Sequence, residues 1–245
     1  MVNAKQQAYL TAMGVDVYVP RDLSSPLPSV TQPDDSARTA PAPLSIPPSV
    51  LVDTVALGDL DWDGLIHKVQ QCTLCDLHST RTQTVFGVGK RNATLMFIGE
   101  APGAEEDRQG EPFVGRAGQL LNEMLRAIHI QRADVYIANI LKCRPPGNRD
   151  PKPEEAVQCV AYLQRQIALI QPKLLVALGR VAAQRLLQTD TALARLRLKQ
   201  HLYPEFNLPL IVTYHPAYLL RTPQDKRKAW EDMLFIDKSL QELVN

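Results

Sequence analysis

The sequence has no apolar run approaching the roughly 18 residues of a membrane span. Its opening, Met1-Val2-Asn3-Ala4-Lys5, lacks the apolar core of a secretory signal. A cytoplasmic protein without membrane contact is therefore expected, and nothing in the pattern asks for more than a monomer. Net charge is nearly absent as well: 27 Lys/Arg against 26 Asp/Glu leave +1, which argues against a strongly basic nucleic-acid binder. There is no internal repeat. With 45% hydrophobic and 22% charged residues, the composition excludes a collagen-like, coiled-coil or fully disordered chain. The near-zero charge conceals a split, however. Residues 1–70 hold 4 Lys/Arg and 8 Asp/Glu, net −4, so residues 71–245 hold 23 and 18, net +5. A polyanion would bind the second part.

Glycine is missing between Pro20 and Pro48, where eight of the 19 prolines lie. Such a segment cannot bury enough apolar surface to offset the entropy of ordering it, and residues 22–54 read as a Pro-rich disordered linker. Before it, residues 1–21 suit a short helix around Tyr9, Leu10 and Met13, ended by Gly14 and followed by the β-rich Val15–Val19. A short ordered peptide on a tether suggests partner docking. Residues 55–245 form the remaining domain, in which strands and helices alternate. Apolar runs at 94–98, 135–140, 174–178 and 210–213 predict four buried strands. Helices are expected from about Gly118, from Pro153-Glu154-Glu155 and from about Asp225, with another over Leu65–Gln71. Alternating β and α with fully apolar strands predicts a three-layer α/β/α fold around a central, mostly parallel four-stranded sheet.

Ligands of such sheets bind beyond the carboxyl ends of the strands. The strand ends here carry, in chain order, a carboxylate-rich loop from Glu100 to Asp107, then Asn139, then Gly179-Arg180, then Tyr214-His215-Pro216. A carboxylate, an amide and an imidazole at three strand ends make a plausible catalytic set. Gly87-Val88-Gly89-Lys90 lacks the third glycine and following helix of a phosphate loop and reads as a turn. Cysteine is scarce: Cys72, Cys75, Cys143 and Cys159 are the whole complement, enough for one tetrahedral metal or cluster site without remainder. A redox pair normally opens a helix just after a strand, whereas Cys72-x-x-Cys75 follows a presumed helix, so ligation is favoured. Spacing alone leaves zinc and iron–sulfur both open.

The ordered set Cys72-x-x-Cys75, Gly99-Glu100-Ala101-Pro102-Gly103, Pro112 to Gly118, Asn139 to Pro146, Cys159 and His215-Pro216-Ala217-Tyr218-Leu219-Leu220-Arg221 resembles the family 4 uracil-DNA glycosylases over about residues 65–243. These form the iron–sulfur branch of the uracil-DNA glycosylase superfamily. The resemblance implies a [4Fe–4S] cluster on Cys72, Cys75, Cys143 and Cys159, structural and DNA-positioning. It also implies an enzyme that flips uracil out of single- or double-stranded DNA and hydrolyses its N-glycosidic bond, leaving an abasic site. Phe113 is suited to stacking on the flipped base. The Asn139 amide can pair with uracil N3–H and O4 and reject cytosine, whose pattern there is reversed. His215 would donate to O2 as charge develops, joined by the loop carrying Glu100, Ala101 and Pro102. Glu100 would orient or activate water, and Glu106 matches the position that crowds uracil C5.

Phosphate contacts are expected from Arg116, Lys142, Arg144, Arg149, Arg180 and Arg221. Leu219, Leu220 and Arg221 resemble a duplex-wedging segment, although leucines there would also suit a buried helix. One related branch traps the sugar on a loop histidine; residues 144–153 have none, so turnover is expected. The peptide from Tyr9 to Arg21 is similar to the start of the psi subunit of the bacterial clamp loader, which implies a tether to replication or repair machinery. The competing reading is a non-catalytic DNA-binding or replication-accessory module on the same scaffold. A zinc-stabilised phosphohydrolase would need converging metal ligands at the rim, and the acids there cluster on one loop.

Overall fold

The computed structural model describes residues 57–244. The expectations for residues 1–21 and 22–54 lie outside them. Helix α1 (Trp62–Gln70) starts where the Asp61 side chain accepts from Gly64 N and buries Leu65 and Val69. It is followed by the edge strand β1 (Val88–Gly89), strand β2 (Leu95–Gly99), and helices α2 (Ala104–Gln109) and α3 (Arg116–Ala127). Next come β3 (Tyr136–Asn139), the long α4 (Pro153–Ile170), β4 (Leu174–Leu178), α5 (Arg180–Leu186) and α6 (Leu193–Leu196). Strands β5 (His201–Tyr203) and β6 (Leu208–Thr213), α7 (Pro216–Arg221) and α8 (Lys226–Val244) complete the chain.

The sheet order is β1-β3-β2-β4-β6-β5. The four expected strands are the inner ones, and they are parallel, with Phe97 opposite Ile137 and Val176, and Val176 opposite Ile211. The sheet is nevertheless six-stranded, which corrects the four-strand count. Both additions are antiparallel edge strands of two and three residues. Strands so short carry no period of their own, and pairing to a formed neighbour decides them. Val88–Gly89, read as a turn, is one of them.

The apolar strands face two helical layers. Met96, Ile98, Ala138, Leu175, Ala177 and Val212 pack against Leu163 and Ile167 of α4 and Ala182, Ala183 and Leu186 of α5. Leu95, Phe97, Ile137, Val176 and Ile211 pack on the opposite side against Leu121 and Leu125 of α3 and Met233 and Ile236 of α8. Burying both faces of each strand explains why the runs are continuous rather than alternating. A third cluster joins Leu65 and Val69 of α1 to Leu141, Cys143, Cys159 and Tyr162. None of the described helices is long and apolar enough to cross a membrane.

Candidate active site

The four parallel strands end on the same side, and the residues beyond them close around one cavity. Its lining includes Glu100, Ala101, Pro102, Glu106, Phe113, Asn139 and His215, together with Arg149, Asp150, Arg180 and Arg221. All seven residues assigned to the base thus meet in one place.

The floor is set by close packing over Gly99, the last residue of β2. A Cβ there would lie 2.3 Å from Asn139 Oδ1 and 2.9 Å from Phe113 Cζ, so only glycine lets amide and ring meet. The Asn139 side chain is buried, and its Oδ1 has no hydrogen-bond partner among the described residues. An orphaned buried acceptor is costly and marks a place where a ligand donor belongs. Phe113 holds φ at 55° and lies 5.5 Å, centroid to centroid, from the His215 ring at 33°.

His215 is the N-cap of α7, and Ala217 N donates to its Nδ1 at 3.1 Å. Nδ1 must therefore be bare, which puts the ring hydrogen on Nε2. Burial, reinforced by Arg221 and opposed by Glu106, lowers its pKa to about 4. The ring is a neutral donor at physiological pH. Glu100 behaves oppositely: burial and then Asp150 push its carboxyl up to about 7, against the pull of Arg180 and Arg185. One carboxyl is thereby poised to take a proton near neutrality.

The acidic loop is more structured than its composition suggests. Residues 104–109 form α2, whose first-turn acids suit the helix N-terminus. Glu106 is not a solvated acid: its Oε2 accepts from Gly103 N and its Oε1 from Val114 N and Gly115 N. Asp107 is buried, with both oxygens accepting from Thr82 N.

Two assigned DNA contacts are corrected. Lys142 is 1% exposed, and its Nζ donates to Asn139 O at 2.8 Å and Gln166 Oε1 at 2.6 Å. It ties the Asn139 strand end to α4 and cannot reach a phosphate. Leu219 is buried on Tyr214 and Ala229, because the segment after His215 is a helix and one of its faces is core. Leu220 is only half-buried and Arg221 is exposed. Arg149 lines the cavity but forks onto Glu155, at 2.9 and 2.5 Å, and Glu155 is buried. Arg116 is exposed at the start of α3, and Arg144, which does not itself line the cavity, donates to Oδ1 of Asn148, which does.

Cys72, Cys75, Cys143 and Cys159 all line a second cavity beneath the loop that follows β3. Among the described residues, no three His, Cys, Asp or Glu side chains converge as a single bound ion requires. Arg81 Nη1 donates to Cys143 Sγ at 3.1 Å, and Lys142 N donates to Cys159 Sγ at 3.2 Å. Sequence reading missed Arg81 and Asp150 because neither lies in a motif; only folding brings them to these sites.

The model of the uracil DNA glycosylase superfamily matches residues 86–234. A type-4 uracil-DNA glycosylase of Archaeoglobus fulgidus is 47% identical over 168 residues, 66% of this chain and 84% of that protein. One from Thermotoga maritima is 45% identical over 155 residues, 63% and 80% respectively. A type-5 uracil-DNA glycosylase of Pyrobaculum aerophilum is more distant, 30% identical over 146 residues, 54% and 64%.

Proposed function

The chain belongs to the type-4 uracil-DNA glycosylases of the uracil-DNA glycosylase superfamily, and from that premise we propose how its rim performs uracil excision. The protein is a DNA-repair hydrolase that acts on uracil-containing DNA, releasing uracil and leaving an abasic site. The flipped base slides over the Phe113 ring. Asn139 accepts from N3–H and donates to O4; cytosine would put unlike groups there at a cost of roughly 1–3 kcal/mol for each mismatched pair. The fixed Glu106 carboxylate stands against C5 and leaves no room for thymine's methyl.

As the bond from C1′ to N1 breaks, its electron pair moves onto uracil and charge gathers on O2. Nε2–H of neutral His215 donates to that oxygen, assisted by the backbone N–H of Ala101, since Pro102 has none and Gly103 N is already given to Glu106. Ionised Glu100 orients a water on the opposite side of the sugar and takes its proton as the oxygen bonds to C1′. Arg116, Arg144, Arg180 and Arg221 hold phosphates, and Leu220 is the residue of its helix free to enter the duplex. The loop over residues 144–153 supplies no histidine nucleophile, so the reaction ends in hydrolysis.

Cys72, Cys75, Cys143 and Cys159 would hold a [4Fe–4S] cluster. What supports a cluster is that all four thiols line one shared cavity, in a chain whose relatives are type-4 uracil-DNA glycosylases. Bound there, it supplies a rigid thiolate cross-link between the chain after α1, the loop carrying Asn139 and helix α4.

The observation that carries the reading is the meeting of the orphaned Asn139 Oδ1, the Nε2 donor of His215 and the Phe113 ring in one cavity. Incubation with uracil-containing oligonucleotides followed by alkali tests it. Strand scission is expected, and Asn139→Asp should loosen discrimination against cytosine. Intact strands from well-folded protein would refute the enzyme reading.

A further inference from the structure

The glycosylase reading assigns Arg180 to phosphate but gives no part to its partner. Arg180 Nη2 lies 3.1 Å from Asp150 Oδ2, and both side chains are more than half exposed, 56% and 70%. The pair spans the cavity mouth from the loop after β3 to the first turn of α5, and both members line the cavity. Asp150 has a firm base: Arg149 Nη1 donates to its carbonyl at 3.0 Å while the same guanidinium forks onto buried Glu155. The backbone of Asp150 is thus held and only its carboxylate is free to turn.

Exposure decides what each pair is for. Arg149 is committed to a buried carboxylate, and breaking that pair would strand a charge. An exposed pair such as Arg180–Asp150 is weak, so a phosphate arriving at the mouth can displace it. Resting on the glycosylase reading, we propose that Asp150 is a positioning residue: it holds Arg180 at the cavity mouth until a DNA phosphate takes the guanidinium over, and its carboxylate then remains as the negative charge facing Glu100.

That second role rests on the surroundings of Glu100. Asp150 and Arg149 face the cavity from the loop after β3, Arg180 from α5, Glu106 from α2, and His215 and Arg221 from the β6–α7 junction. Arg185 of α5 also acts on Glu100, and after burial Asp150 is the largest influence raising its pKa. Transfer of Arg180 to phosphate leaves Asp150 less compensated, so Glu100 holds its proton more firmly on bound DNA than in the free protein.

The test is a double-mutant cycle on Asp150→Asn and Arg180→Gln. Affinity is read on a duplex bearing a tetrahydrofuran abasic analogue, which needs no excision. At low salt D150N should bind about two- to fivefold tighter than the native protein, and should gain nothing in the R180Q background. D150N should also shift the acid limb of the excision–pH profile to lower pH, a readout that a merely structural role would leave in place. An equal gain in both backgrounds would mean general repulsion of DNA and overturn the proposal; no gain in either would overturn it as well. If native protein failed to excise uracil, the binding cycle would still be readable, so the two failures are distinguishable.

Discussion

Glu100 gives the sharpest handle on the mechanism, because its pKa of about 7 falls inside the accessible pH range. If the ionised carboxylate handles the water, kcat/KM follows its ionised fraction, about one-tenth at pH 6 and about nine-tenths at pH 8. The expected rise is therefore about tenfold across those two units. His215, at about 4, is neutral throughout and adds no second limb. Glu100→Gln should abolish the limb and lower kcat/KM by about 10²–10⁴-fold, the usual worth of a positioned general base.

Stability should move the other way. A carboxyl raised in the folded state from 4.5 makes the fold bind more protons than the unfolded chain. Native protein therefore loses stability as pH rises from the ordinary carboxyl range through about 7, whereas E100Q does not. E100Q should melt above native protein at pH 8, with the gap closing toward pH 5. The assay pairs excision rates with melting curves across that range. A pH-independent native rate between 6 and 8, or a limb that survives in E100Q, would refute the assignment of Glu100 as the base.

Asparagine at 215 retains an N-cap oxygen for Ala217 N but no Nε2–H; H215N should lose about 10²–10³-fold in single-turnover excision with little change in melting temperature. Gly99→Ala puts a Cβ 2.3 Å from Asn139 Oδ1 and should cost about 1–3 kcal/mol of stability by overpacking, with at least about a tenfold loss in kcat/KM, both measurable on one preparation. Lys142→Met leaves Asn139 O and Gln166 Oε1 short of a donor, about 1–3 kcal/mol each by denaturant unfolding. The salt dependence of DNA binding should not change, whereas losing a phosphate contact would reduce its slope by about 0.9.

The inner sheet was legible because a strand buried on both faces must be apolar at every position, as 95–98 and 174–178 are. Helix α4 was legible from its first turn, where Pro153, Glu154 and Glu155 match the demands of a helix N-terminus. The rim followed from topology, since parallel strands present their carboxyl ends on one side. Pairings between distant segments stayed hidden. Nothing near Lys142 announces that Gln166, 24 residues on, will accept from it, so a buried cation reads as a surface one. The same holds for Leu219: whether a leucine after His215 faces DNA or core depends on where α8 packs, and Ala229 of that helix settles it.

Three departures from local comfort meet at this rim. Phe113 adopts a left-handed backbone that a bulky residue avoids, at a cost on the order of 1–3 kcal/mol. Two contacts hold it there. The Glu106 carboxylate binds the N–H groups of Val114 and Gly115 just after it, and α3 presses so closely that a Cβ on Gly118 would lie 1.7 Å from Phe113 O. The other positive-φ residues at the cavity, Asn148 and Gly179, are of types that tolerate the conformation. A strained ring, a carboxyl held near neutrality and an imidazole stripped of its charge each cost stability, and under the proposed mechanism each would present to uracil a surface or a protonation state that an unstrained, solvated side chain would not. Their conjunction in one cavity favours a working site over a retired scaffold, because a protein freed from catalysis would gain stability by relaxing all three.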